Sequence, residues 1–277
     1  MPEGDTIFRA ARTLHRALAG QAITRFDTGL APLAQIDRDR AIAGQIVEKV
    51  EAAGKHCLMH LSGELVLRTH MRMNGSWHLY RPGEKWFLPA HAMRILIETA
   101  EWVAVAFHVY SAEFIRSDRV DQHRTLGTLG PDLLADFDRD RALALVRQND
   151  ARPVHQVLLD QRVMAGIGNV YKSELMFLSR IHPDTPAAAL DDAKWGEIMA
   201  LAQKLLKANV VDGAANQIIT YRGLRRTTGR MNPSDRLWVY SRGGQPCRRC
   251  GTRIALRKDG DDARVTYWCP NCQPAPV

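Results

Sequence analysis

Four of the five cysteines fall at Cys247, Cys250, Cys269 and Cys272. Two residues between thiolates let one tight turn aim both sulfurs at one ion. Two such turns supply the four soft ligands of a tetrahedral zinc site. Two disulfides or four free thiols are the other readings of this spacing, and a reducing compartment disfavours the first. The expectation is one structural Zn2+ ion and no organic cofactor. With all four ligands from protein, no coordination position stays open for catalysis. Between the pairs, residues 254–256 and 265–268 can form a hairpin across 258–261, a module with little core that should depend on its metal. Cys57 stands alone in a strand pattern and reads as a buried small hydrophobe, not a nucleophile.

A second place where chemistry is possible is the opening Pro2-Glu3. Methionine removal before Pro2 would leave a free secondary amine, a nucleophile of the same class as a lysine amine. Attack on C1′ of a deoxyribose would form an iminium ion, acidify C2′ and allow a phosphate to be eliminated. Glu3 beside it could act as a general acid or base, and both would feel the positive end of a following helix. Read alone, the two residues are more simply an ordinary ragged terminus.

The elements that must position these groups show in the hydrophobic pattern. Ile7, Ala11, Leu14 and Leu18 draw one apolar stripe, so residues 5–19 read as a helix with Asp5 as its N-cap. From 22 to 117 the period shortens, and 46–50, 57–61, 65–69, 95–98 and 103–109 read as strands of a β-sandwich or barrel-like domain behind one helix. After Gly130-Pro131-Asp132 the period lengthens, with helices expected over 139–149, 153–164, 170–179 and 193–209. The fold class is therefore a multidomain α+β chain: 1–128 as a β-sandwich domain with a leading helix, 129–235 as a helical domain, 236–277 as the zinc-finger hairpin.

The 277 residues carry a formal charge of +8, and 45% of them are hydrophobic, which excludes a disordered chain. Residues 210–277 hold twelve Lys or Arg against five Asp, so +7 of the +8 lies there. An Arg-dominated end of this kind suits a polyanion, most simply nucleic acid. No apolar run approaches a membrane span, and the opening has neither the basic nor the apolar region of a signal peptide. The expectation is a soluble, intracellular protein with no membrane partner.

Met1-Pro2-Glu3-Gly4, Gly54-Lys55, Leu129-Gly130-Pro131-Asp132, Gly166-Ile167-Gly168-Asn169 and the terminal Cys-x2-Cys pair occur in that order. Together, across nearly the whole chain, they resemble the family of formamidopyrimidine-DNA glycosylase and endonuclease VIII. The resemblance implies a bifunctional DNA glycosylase and apurinic/apyrimidinic lyase. It also implies a β-sandwich, a helix–two-turn–helix domain and a zinc finger, with DNA in the cleft between lobes. Pro2 matches the Schiff-base nucleophile, and Glu3 the acid that protonates the deoxyribose ring oxygen. Lys55 matches the lysine that contacts phosphate and assists β-elimination. Asn169 matches the phosphate-holding asparagine of the two-turn element, and Arg264 the zinc-finger arginine that grips phosphates and supports δ-elimination. A glycosylase takes its base out of the stack, and residues 69–77 match the loop that fills the gap. Arg72 and Met73 are the candidates for that filling, Met73 being otherwise a core residue. His70 either holds a phosphate or packs.

Three features resemble the endonuclease VIII branch more than the guanine-lesion branch. Tyr110-Ser111-Ala112 stands where the latter carries Asp-Pro-Arg-Arg-Phe-Gly. Residues 213–224 lack its Gly-Gly-Thr run, and Tyr267-Trp268 precede Cys269. Arg72-Met73-Asn74, Thr128-Leu129 and Gly4-Asp5-Thr6 depart from the usual endonuclease VIII pattern. The chain resembles a divergent, actinobacterial-type endonuclease VIII. The implied function is removal of oxidised bases, mainly pyrimidines, from double-stranded DNA and cleavage of abasic sites by β,δ-elimination, by a monomer. The alternatives are an enzyme of the same fold preferring 8-oxoguanine or formamidopyrimidines, and a non-catalytic damaged-DNA-binding paralogue.

Overall fold

The computed structural model describes residues 2–210, 225–230, 232–259 and 264–276. The segment 213–224, compared above with the guanine-lesion branch, lies outside these, as do Met1 and residues 260–263 between the zinc-finger strands. The first 128 residues form one compact unit. Leu129–Asn209 and the described residues beyond 224 form a second.

In the first unit, helix α1 (Gly4–Leu18) buries Ile7, Ala11, Leu14 and Leu18, the stripe expected from their spacing. Its N-cap is Glu3, not Asp5: Glu3 is extended and its carbonyl accepts from the Thr6 and Ile7 amides. Asp5 lies inside the first turn, where its carboxylate accepts from the Thr6 amide. Two four-stranded antiparallel sheets follow. One orders β1 (Arg25–Thr28), β6 (Met93–Glu98), β7 (Val103–Phe107) and β5 (Ser76–Tyr80); the other orders β2 (Val47–Ala53), β3 (His56–Leu61), β4 (Leu65–His70) and β8 (Ser111–Arg116). Leu14, Val50, Met59 and Leu67 share one apolar core with Trp77, Ile97 and Ala104, so the two sheets and α1 close on each other.

Four of these elements escape the hydrophobic pattern. Helix α2 (Ala31–Asp39) buries only Leu33 and opens with a Pro near its first turn. Strand β1 has no fully buried residue, and β8 only Ile115. Strand β5 is buried on both faces, because Tyr80, Val105 and Phe107 also pack under Trp86 and Leu88, so alternation is lost. Residues 76 and 77 therefore belong to a strand, and the segment expected as a loop over 69–77 shrinks to the turn around 71–75.

The second unit contains α3 (Arg139–Arg147), α4 (Val154–Leu159), α5 (Asn169–Leu178), α6 (Asp192–Asn209) and the hairpin of β9 (Ala255–Asp259) and β10 (Arg264–Trp268). Helix α4 ends five residues earlier than expected. Asp160 is extended there, and its carboxylate is taken by Arg152, Arg162 and the Arg162 amide. Tyr171, Leu175, Trp195 and Leu206 centre the core. None of the described helices is long and apolar enough to cross a membrane.

Candidate functional site

Two hydrogen bonds orient α1 against β2. The Gly20 amide donates to Val47 O at 2.8 Å, and the Val50 amide donates to His15 Nδ1 at 3.1 Å. The helix therefore runs antiparallel to the strand. At about 3.3 Å per strand residue and 1.5 Å per helix residue, the Gly54-Lys55 turn arrives level with the first turn of α1. That turn is a two-residue hairpin between paired Ala53 and His56, with Gly54 at φ +58 as a Gly-X turn requires. The fold thus gathers Pro2, Glu3 and Lys55 at one end of the sandwich. Pro2 is buried and Glu3 is fully so.

The next positions continue the same end. His56 pairs with His70 across β3 and β4, their rings 4.8 Å apart. His70 Nδ1 accepts from the Arg72 amide at 3.2 Å, so the proton of neutral His70 sits on Nε2. That contact supports the turn in which Arg72 holds φ +48, a strained value for a side-chain-bearing residue. Met73 is 55% exposed, so it is not a core residue; that place is taken by Met71, 3% exposed. The corner is rich in cations. Burial, then Arg68, His70, His123 and Lys55, push His56 down to about 3. Burial, then Arg68, Lys55 and Arg72, push His70 down to about 4. Glu113 is the acidic counterweight, accepting from Arg68 Nη1 at 2.5 Å and lying 3.3 Å from His123 Nε2. His56, whose buried Nδ1 has no partner, was not marked by the sequence, since a histidine in a strand reads as ordinary. Cys57 next to it is 2% exposed and burial pushes its thiol up to about 12, which makes it inert.

In the second unit Asn169 opens α5 after the positive-φ Gly166, and the cap is Gly168. Asn169 Nδ2 donates to Val265 O at 2.8 Å, so the helix start and the strand carrying Arg264 are tied together. One turn on, the fully buried Lys172 donates from Nζ to Thr266 Oγ1 at 2.6 Å. Glu174, also fully buried, accepts at 2.9 Å from each of the Trp238, Val239 and Tyr240 amides and from the Thr227 hydroxyl. Burial pushes the Glu174 carboxyl up against the pull of these four donors. Sequence reasoning missed Lys172 and Glu174, because charges on a helix ordinarily mark its solvated face.

The four zinc-site sulfurs lie within 4.8 Å of one another. Cys250 and Cys269 are 3.4 Å apart, Cys247 and Cys272 4.0 Å. A Zn–S bond of ~2.3 Å sets tetrahedral S···S spacing at roughly 3.8 Å, so the residues fit one zinc ion. Each knuckle is closed by backbone bonds: Gly251 N to Cys247 O, and Gln273 N to Cys269 O, both 2.9 Å. Gln273, fully buried, returns a bond from Nε2 to Ile181 O at 2.7 Å.

Family models match three segments: the formamidopyrimidine-DNA glycosylase N-terminal domain over 1–111, its H2TH domain over 129–220, and the zinc finger found in FPG and IleRS over 244–275. Similar proteins include the probable endonuclease 8 2 of Streptomyces coelicolor, 43% identical over 100% of this chain and 95% of that protein. The DNA-(apurinic or apyrimidinic site) lyase Nei2 of Mycolicibacterium smegmatis is 38% identical over 99% of this chain and 100% of that protein. Among solved structures, the Lactococcus lactis formamidopyrimidine-DNA glycosylase bound non-covalently to DNA with an abasic site matches with a TM-score of 0.80. It is 21% identical, over 99% of this chain and 100% of that one, a likeness of fold.

Proposed function

Because the chain belongs to the formamidopyrimidine-DNA glycosylase and endonuclease VIII family, we propose that it excises oxidised bases, mainly pyrimidines, from duplex DNA and cuts the strand through a Pro2 Schiff base. It is a DNA glycosylase and abasic-site lyase of base excision repair, carrying one structural zinc. The observation that supports the finer reading is the gathering of Pro2, Glu3 and Lys55 at one end of the sandwich, derived from the α1–β2 register.

Once Met1 is removed, the Pro2 amine sits at the positive end of α1, which favours its neutral, nucleophilic form. Its lone pair attacks C1′ as the glycosidic bond breaks and the base leaves with its electron pair. Glu3 gives a proton to the ring oxygen, the sugar opens, and the Pro2 nitrogen becomes an iminium. The iminium acidifies C2′; loss of a C2′ proton expels the 3′ phosphate, with Lys55 holding phosphate and assisting. A second elimination expels the 5′ phosphate, with Arg264 and Asn169 gripping the backbone. His70, donating through Nε2, contacts a phosphate beside Lys55, while Arg72 and Met73 occupy the space the base vacates. Zinc takes no part in these steps; it holds the hairpin that carries Arg264. Endonuclease VIII-type pyrimidine preference is supported by Tyr110-Ser111-Ala112 and by the endonuclease 8 relatives.

The test is borohydride trapping on duplex DNA with one abasic site. Wild type, its N-terminus checked by mass spectrometry, forms a covalent adduct, and Pro2→Thr does not. Absence of an adduct from processed, zinc-loaded protein overturns the Schiff-base reading in favour of damage binding. Base release from duplexes carrying 5-hydroxyuracil or 8-oxoguanine, each opposite its normal partner, decides the lesion class.

A further inference from the structure

Helix α5 and strand β10 are joined residue by residue over a short run. Asn169 Nδ2 donates to Val265 O at 2.8 Å, Lys172 Nζ to Thr266 Oγ1 at 2.6 Å, and the Tyr267 amide to Ser173 Oγ at 3.4 Å. Helix and strand run the same way, and the contacts stay in step: four helix residues rise ~6 Å and two strand residues ~6.6 Å. Continued one residue back, this register brings Arg264 level with the start of α5, beside Asn169. Side chains alternate along a strand, so Arg264 leaves β10 on the face that Thr266 turns to the helix. Thr266 is fully buried there, and Arg264, past the helix end, is exposed. The middle tie is the unusual one. Lys172 has no exposed surface, and an ammonium out of water is costly where an apolar side chain would pack without that cost. What the ammonium adds is direction. It fixes the height of Thr266 on the helix, which non-directional apolar contact leaves free.

We propose that Lys172 is a positioning residue: through Thr266 it sets β10 on α5 so that Arg264 and Asn169 hold the same stretch of DNA backbone. This deepens the proposed function and rests on its assignment of Arg264 and Asn169 to phosphate. Lys172 and Thr266 are both fully buried, so they act through Arg264 and not on DNA. The Asn169 bond ends on a backbone carbonyl, about which the strand can still roll. The Lys172 bond ends on a side chain of the face that carries Arg264, and removes that freedom. A misset strand keeps its zinc and its fold, because Phe177 of α5 shares one apolar cluster with Val239, Ile254 and Cys269. It loses the aim of one guanidinium. The consequence falls on DNA grip and on the second elimination, which Arg264 supports, and not on Schiff-base formation at Pro2.

The test uses full-length, zinc-loaded protein and a duplex with a tetrahydrofuran abasic analogue, which a Schiff base cannot cleave. Thr266→Val, which keeps the shape and removes the acceptor, and Lys172→Met each weaken binding about 10- to 100-fold, as loss of a hydrogen bond to a charged group requires. Thr266→Ser, which restores the hydroxyl, binds as wild type does. In an Arg264→Ala background Thr266→Val costs nothing further, the mark of a residue that acts through Arg264. On a true abasic site in single turnover, Thr266→Val lowers the ratio of δ- to β-elimination product about 10-fold or more. Borohydride trapping at saturating DNA and the bound zinc stay at wild-type levels. Wild-type binding and ratio in Thr266→Val overturn the assignment. A loss confined to Lys172→Met also overturns it, since the charge then acts by its field. So does a zinc loss that accounts for the whole effect, since the pair then only holds the module, and so does a full further cost in the Arg264→Ala background. If Arg264→Ala itself binds as wild type does, the phosphate assignment in the proposed function falls together with this inference. If wild type fails to trap, the lyase reading falls while the binding comparison stands.

Discussion

The end of the sandwich that carries Pro2 and Lys55 and the hairpin that carries Arg264 solve the same positioning problem with different materials. The first rests on a two-sheet apolar core that includes Leu14, Val50, Met59, Trp77 and Ile97. Its polar groups are perched at the rim, and two of them, His56 and His70, are kept neutral by burial and by neighbouring cations. Among the described residues, the second has a core of Phe177, Val239, Cys247, Ile254 and Cys269 with a few partly buried neighbours. It compensates with a metal and with buried polar ties: Asn169 to Val265, Lys172 to Thr266, Glu174 to three amides, Gln273 to Ile181. Apolar area is non-directional and tolerates change, whereas ligand bonds and buried hydrogen bonds demand geometry and fail abruptly when one partner goes.

That contrast can be broken at several points. The largest effect should follow zinc removal. A chelator should cost the hairpin on the order of 10 kcal/mol of local stability. Hydrogen exchange should then show β9 and β10 losing protection while β3 and β4 keep theirs; equal loss in both units would end the distinction. Acid should act on the other unit. His56 has a folded pKa of about 3 against an ordinary 6.5, so the unfolded chain takes up the proton first as pH falls. The stability it contributes is fully present above about 6.5 and is lost progressively down to about 3, about 5 kcal/mol in all. The melting temperature of the sandwich should fall over that window, and His56→Gln should flatten the curve.

A smaller loss, about 3 kcal/mol, is expected from Glu174→Gln, which turns an amide group toward three backbone donors. Urea unfolding followed by Trp238 fluorescence would show it, and a neutral result would mean the carboxylate is not what ties the segment down. The smallest effect is at Asp184, 40% exposed, which pairs bidentately with Arg257 of β9. Solvent screening leaves Asp184→Asn a cost of about 1 kcal/mol or less, erased by 1 M salt. A salt-insensitive loss would show that Asp184 acts instead through His155 and His182, 3.9 and 3.8 Å away.

Local features of the chain were sufficient for part of this. Cys-x2-Cys spacing dictates a zinc knuckle because both sulfurs lie on one turn. The stripe of Ile7, Ala11, Leu14 and Leu18 dictates α1 because helix periodicity is a property of neighbours. Gly54 before Lys55 dictates a turn because only that backbone takes φ +58 without strain. The family signature could be read for the same reason, since each of its motifs is short and contiguous. Tertiary structure alone decided what those pieces meet. Lys55 arrives level with the first turn of α1 through the antiparallel register of α1 on β2, and the segment before Ser111 lies beside the end of β4 through the pairing of β4 with β8. Lys172 and Glu174 are buried because β10 and the 238–240 backbone cover a helix face that, by its residues, belongs in water. Strands β1, β5 and β8 hid for the converse reason: their burial is set by what lies across the sheet, and no period within the strand records it.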